Sequence, residues 1–235
     1  MTAYSWTLYP ERILHENIVS EGYTLCWAAK WYKKGPVLFD SVYQSDPDAM
    51  IGKIYTLLDE ADAVVTYNGV KFDLPILQQE FLRHGLNPPS GYFNIDLLKT
   101  VRRQFRFPSN KLDYVAKRLG YGGKIEHKGM ELWRGCMAGN AADWKIMRKY
   151  NIRDVTLLEQ VYEHLLCWIP RHPNWGHWVD SVKPTCAKCG SDNLVLNGKE
   201  TRTTIPYQRY LCRACGSRLK GEVMKTEPRP TTKAA

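Results

Sequence analysis

Two apolar runs, Tyr23–Tyr32 and Pro36–Tyr43, flank Lys33-Lys34-Gly35 and predict a strand, turn and strand hairpin. Met50, Ile51, Ile54, Leu57 and Leu58 repeat at helical spacing, whereas Ala63-Val64-Val65-Thr66-Tyr67-Asn68 is a short continuous run typical of a buried strand. Helical periodicity also predicts helices near 74–85, 96–104, 110–119 and 141–166. This alternation over about the first 170 residues predicts an α/β domain, a mixed sheet with helices packed on it. No internal repeat interrupts it.

The pattern changes around Trp168–Trp175, where Pro170 and Pro173 end the last long apolar-periodic stretch. The expected organisation is an α/β domain over 1–172, a linker over 173–184, a small four-cysteine unit over 185–221 and a disordered tail over 222–235. Composition agrees with a globular chain: 235 residues, 44% hydrophobic and 24% charged, exclude disorder throughout. Without a run of 18 apolar residues or a signal-peptide pattern, the expectation is a cytoplasmic protein with no membrane association.

Charge is uneven. From Ser181 onward there are 11 lysines and arginines against 4 aspartates and glutamates, so most of the net +9 lies in the C-terminal segment. Either that segment meets a polyanion or it is a solvated basic tail. The same segment holds Cys186-Ala-Lys-Cys189 and Cys212-Arg-Ala-Cys215, 22 residues apart and each followed by glycine. Two such turns aim four thiolates at one point and predict a structural Zn²⁺ site, a zinc ribbon with short strands at 193–196 and 207–211. The alternative is two disulfides. Cys26, Cys136 and Cys167 stand alone in apolar surroundings and are expected to be core residues.

Three positions invite a chemical reading. Asp154 precedes Leu158, Val161 and Leu165 at i+4, i+7 and i+11, so its carboxylate falls on an apolar stripe and needs an Arg or Lys, backbone donors or a metal. Pairing with an arginine such as Arg103 is the bland alternative. Tyr150 lies one turn earlier on the same face, within reach of whatever Asp154 holds. Asp73 follows the buried strand and sits two residues before Pro75, where it is either a helix N-cap or a ligand-binding group at a strand-to-helix corner. Asp96, in Asn94-Ile95-Asp96-Leu97, occupies a similar corner and reads as a supporting residue or a cap.

Asn68-x-x-x-Phe72-Asp73-x-Pro75-x-Leu77 resembles the second motif of the DnaQ-like, or DEDD, 3′-to-5′ exonucleases of the RNase H-like superfamily. Tyr150-Asn151-Ile152-Arg153-Asp154 resembles the third motif, Y-x-x-x-D, of the DEDDy subtype, and Asn110–Gly120 is similar to a helix of family B proofreading domains. The resemblance covers residues 3 to about 170, and some phage and bacterial members carry a C-terminal zinc ribbon. It implies an RNase H-like fold and two-metal hydrolysis of 3′-terminal phosphodiesters in single-stranded nucleic acid, DNA before RNA, with Mg²⁺ or Mn²⁺. Asp73 and Asp154 would then be metal ligands, Tyr150 would orient the attacking water, and Asn68 and Phe72 would contact the terminal nucleotide. A DNA polymerase or another replication protein is the implied partner.

Lys99, Arg102, Arg103, Arg106, Lys111, Lys117 and Arg118 lie among Phe105, Phe107 and Tyr114, a pattern suited to a single-strand track in which Lys111 contacts substrate. The alternative is a solvated helix face. The family's first motif, D-x-E on the first strand, does not occur in this chain. The expectation is therefore that this chain alone binds the metal pair weakly and leaves sheet edges unpaired, as a chain begun downstream of the first strand would. Glu11, Glu16 and Glu21 lack the motif's spacing. The leading reading is a DEDDy-type exonuclease with a zinc ribbon; the second is a catalytically incomplete nucleic-acid-binding protein on the same fold.

Overall fold

A computed structural model describes residues 2–3, 15–20, 22–179, 181, 183–202 and 205–223. Much of the predicted linker is among them, but residues 224–235 of the predicted tail lie outside, as do Glu11 and Glu21. In chain order the elements are β1 (Thr2–Ala3), β2 (Ile18–Ser20), β3 (Cys26–Ala29), β4 (Leu38–Ser41), α1 (Pro47–Asp59), β5 (Ala63–Thr66), α2 (Asp73–Arg83), β6 (Phe93–Asp96), α3 (Leu97–Gln104), α4 (Leu112–Arg118), α5 (Met130–Met137), α6 (Ala141–Leu165), β7 (Leu194–Arg202), β8 (Ile205–Cys212) and β9 (Arg218–Val223). The chain forms two compact units, Met1–Asp96 with Lys111–Glu159, and Leu97–Asn110 with Gln160–Ala235, and the division falls inside α6.

In the first unit the hairpin closes as the sequence predicts, with Cys26 opposite Ser41 and Ala29 opposite Leu38. Lys33, at φ 56°, takes the left-handed turn position. α1 begins where the Asp46 carboxylate accepts from the Asp48 amide and Pro47 enters the first turn without needing an N–H partner. Its apolar stripe, Met50, Ile51, Ile54 and Leu58, packs with Trp27 and Phe81, and the Trp27 indole N–H donates to the Met50 carbonyl at 2.9 Å. That bond satisfies a polar group that burial would otherwise leave without water. A second cluster joins Leu132, Cys136, Trp144 and Met147, with Cys26 and Tyr150 packed at its margin.

β5 and β6 run parallel, Thr66 opposite Asp96. Antiparallel and parallel pairing both occur, but the sheet is divided: among the described residues the β3–β4 hairpin and the β5–β6 pair are separate two-stranded pieces. Their strands are four residues long, and no described strand runs between them.

In the second unit β7, β8 and β9 form an antiparallel sheet in that order, longer than the two predicted strands. The end of α6 buries Val161, Tyr162 and Leu165, and Phe105 meets Trp168 edge to face with centroids 5.4 Å apart. No helix among the described residues is long and apolar enough to cross a membrane.

An acidic corner and a four-thiolate cluster

The acidic corner starts from the backbone. After β5 the chain turns through Asn68 at φ 69°, a left-handed conformation that asparagine tolerates better than most residues. Gly69 follows, buried, and a Cβ there would lie 2.5 Å from the Thr66 Cβ, so only glycine lets the turn fold back on the strand. The Gly69 carbonyl accepts from the Phe72 and Leu74 amides, which starts α2 with Asp73 as its first residue. The helix has no side-chain cap. The N-cap alternative for Asp73 is thus not what the chain adopts.

Asp96, buried at the end of β6, accepts from the Asn68 amide at 2.8 Å and fixes the turn from the neighbouring strand. This places it close enough to Asp73 for their charges to interact. Although Asp73 is an exposed residue, desolvation of its carboxyl raises its pKa, the Asp96 charge adds to the rise, and its own amide and Lys124 oppose it.

Asp154 and Tyr150 project from α6, and their cation is Lys124, not the arginine considered from sequence. The Lys124 ammonium donates to Asp154 Oδ2 at 2.5 Å and to the Tyr150 hydroxyl at 3.3 Å. Asp154 Oδ1 is buried with no hydrogen-bond partner among the described residues. Burial alone would lower the Lys124 pKa, but the bond and charge of Asp154 outweigh it and hold the ammonium above its usual range. Burial and the Asp154 charge push the Tyr150 phenol up against the pull of Lys124.

Lys124 is placed by its backbone. Arg153, beside Asp154 in α6, donates to the carbonyls of Tyr121 and Gly123, and the Asp113 carboxylate accepts from the Lys124 amide at 2.8 Å. On the other side His127 lies edge-on to Tyr150, with centroids 4.9 Å apart, and also meets Trp133. Sequence reading passed over Lys124, Arg153 and Asp113; the available signal was Gly122-Gly123, a turn placed to bring a lysine back onto the apolar stripe of α6.

Lys124 connects the two parts of this corner, bonded to Asp154 and Tyr150 and acting by charge on Asp73, which also feels Asp96. Among the described residues no three carboxylates meet closely enough to form a ligand group, and the four cysteines are the one such group. The orphaned Asp154 oxygen and the mutual repulsion of Asp73 and Asp96 are what a cation would relieve. Phe72 is 59% exposed beside Asp73, and Lys111 is exposed just before α4. Of the predicted stripe on α6, Val161 and Leu165 are buried, with Leu157 rather than Leu158 as the third fully buried position.

The second unit gathers Cys186, Cys189, Cys212 and Cys215, with all four sulfurs within 4.8 Å of one another. Cys186 to Cys215 and Cys189 to Cys212 are both 3.6 Å apart, near the ~3.8 Å edge of a tetrahedron built on Zn–S bonds of about 2.3 Å. All four are free thiols, so the disulfide alternative does not hold. Gly190 and Gly216, both at φ 73°, provide the left-handed turns after each pair. Burial raises the pKa of Cys186 and Cys189, whereas hydrogen bonds with Ser217 lower that of Cys215 against its own burial; a bound cation would favour the thiolates. The first knuckle is tied down by Lys188, whose ammonium donates to the carbonyls of Cys167 at 2.8 Å and Ile169 at 2.9 Å.

A family model described as the RNase_H superfamily matches residues 27–166, more than half of the chain. The chain belongs to the RNase H superfamily. The match runs from β3 to the end of α6 and contains every residue of the acidic corner. No curated protein matches the chain. The RNase H-like domain is therefore the mixed α/β part, and the four-cysteine cluster, suited to a structural metal such as zinc, lies beyond the matched residues.

Proposed function

We propose that this RNase H-like protein is a metal-dependent 3′-to-5′ exonuclease of the DnaQ-like, DEDDy type, hydrolysing 3′-terminal phosphodiesters of single-stranded DNA in replication or repair. Its setting is the cytoplasm of a bacterium or a phage-infected cell, beside a polymerase or another replication protein. The observation that carries this reading is the buried Asp154 oxygen without a partner, beside the Tyr150 hydroxyl on α6, with Lys124 acting on both Asp154 and Asp73.

Asp73 and Asp154 would hold the divalent cations, which when bound supply Lewis-acid polarisation of the phosphate and a hydroxide nucleophile. Tyr150 keeps its proton at neutral pH and presents it to the attacking water, fixing that water's orientation. Phe72, with much of its ring exposed, offers an apolar face to the terminal base, which every base can use. Asn68 positions the terminal nucleotide from the turn that also holds Asp73, and Lys111 contacts a phosphate.

A second reading, a nucleic-acid-binding protein with an incomplete catalytic site, is favoured by one observation: Lys124 already neutralises Asp154. Incubating the full chain with a 5′-labelled single strand in Mg²⁺ or Mn²⁺ separates the two. The exonuclease shortens the strand from its 3′ end, and Asp73→Asn or Asp154→Asn lowers the rate by about 10³-fold or more. Binding without metal-dependent shortening gives the second reading, and robust hydrolysis by both variants removes this site assignment.

A further inference from the structure

Five cations of the first unit pair with a carboxylate: Lys30 with Glu159, Lys53 with Asp40, Arg83 with Glu80, Lys117 with Asp113 and Lys124 with Asp154. The β7–β8–β9 sheet gathers three of its cations on one face. Paired residues of an antiparallel ladder share a face, so the register Arg209↔Lys220, Leu211↔Arg218 and Tyr207↔Val223 places Arg209, Arg218, Lys220 and Tyr207 on one face. None of the three cations has an ion pair among the described residues, and Glu200, opposite Tyr207, is the one acidic residue the described register adds to this face. The opposite face carries Leu196, Tyr210 and Leu219, with Lys199 and Gln208. Lys220 rests its ammonium 3.2 Å from the centre of the Tyr207 ring, and an aromatic ring is a weak counter-charge that a phosphate readily replaces.

We infer that this face binds the backbone of single-stranded nucleic acid, with Arg209, Arg218 and Lys220 on phosphates and the Tyr207 ring stacking on a base. Charge complementarity selects the occupant: unneutralised cations beside a ring match alternating phosphates and bases. Apolar peptides would leave the cations uncompensated. When a strand arrives, Lys220 moves from ring to phosphate and uncovers the stacking surface.

The inference rests on nucleic acid being the substrate class proposed above, yet it fails separately, because it concerns affinity rather than hydrolysis. The test measures anisotropy of a labelled oligothymidylate with the full zinc-loaded chain carrying Asp154→Asn, over a salt series. Removing Arg209, Arg218 and Lys220 by alanine weakens binding at least about tenfold at low salt and flattens the log–log salt slope by about two. Tyr207→Ala weakens binding about fivefold or more with the slope unchanged. Arg134→Ala/Lys145→Ala/Lys149→Ala removes the same charge from exposed positions of the first unit and changes the slope by less than about one. If the triple ribbon variant loses its metal, Arg218→Gln/Lys220→Gln, at exposed positions, reads the same slope. Unchanged affinity in the ribbon variants, or an equal loss in the control, overturns the inference. Equal binding of polyglutamate with the same salt slope would reassign the face to acidic protein.

Discussion

The four sulfurs of the C-terminal unit come from two short knuckles within residues 186–215, each shaped by its own glycine turn, and they converge on one centre. The carboxylates of the first unit come from the start of α2, the end of β6 and the middle of α6, and a lysine from a fourth segment lies among them. The thiolate cluster would carry up to four negative charges with no described lysine or arginine ion-paired to them, which suits it to a structural cation such as zinc. In the acidic corner Lys124 neutralises Asp154, so that carboxylate has a counter-charge without a metal. On the function proposed above, a structural metal and a catalytic metal would thus have different protein surroundings.

The strongest break in this comparison is removal of the structural metal. Chelation, or Cys212→Ser, should unfold β7, β8 and β9, because structural zinc contributes apparent binding free energies of about 10–16 kcal/mol in small zinc domains. Amide exchange would show these strands losing protection while α1 and β5 keep theirs; protected strands in the metal-free protein would refute a metal-dependent fold. Next in size is Gly69→Ala, which forces the turn away from Thr66. A stiff β-branched neighbour gives little room, and the cost should be about 1–3 kcal/mol by denaturant titration, with the Asp73 corner displaced.

Lys124→Ala sharpens the contrast. The ion pair is partly exposed, with side chains 30% and 24% accessible, so its removal should cost about 1 kcal/mol rather than the larger penalty of a buried pair. Added Mg²⁺ should then raise Tm more in the variant than in the parent; an equal rise would show that the ammonium and the metal do not compete. The raised Lys124 pKa gives the pH sense: the contribution is complete below the unfolded lysine value near 10.4 and is lost as pH rises through the higher folded value. The smallest effect is a gain. A raised Asp73 pKa means the folded state holds that proton more tightly, so ionisation costs stability as pH rises from the unfolded value near 3.9 through the folded one. Asp73→Asn should raise Tm by a degree or two at pH 7 in Mg²⁺-free buffer. A lowered Tm there would show that the carboxylate is not strained.

Legibility from sequence followed distance along the chain. Cysteine pairs and their glycines are local signals, and the cluster was readable in full. The hairpin, α1, β5 and α6 followed from periodicity. Asp154 was visible as a charge on an apolar stripe, but Lys124, 30 residues earlier, was not, because its placement depends on Arg153 and Asp113 holding a glycine turn. α5, eight residues starting at Gly129 without a side-chain cap, was not read from the sequence. β9 was missed because its alternation of charged and apolar residues is interrupted at Gly221, whose Cβ would strike Tyr210.

Lys188 gives the cysteine knuckle a reach beyond its own sulfurs. By donating to the carbonyls of Cys167 and Ile169, it closes the chain just past the end of α6, where the last carbonyls of a helix lack amide donors. If the knuckle holds a metal, its occupancy should be thermodynamically linked to the fraying of that helix terminus. Exchange rates of the last-turn amides should then rise on chelation, a gauge of the bound metal read in a helix that holds none of the four cysteines.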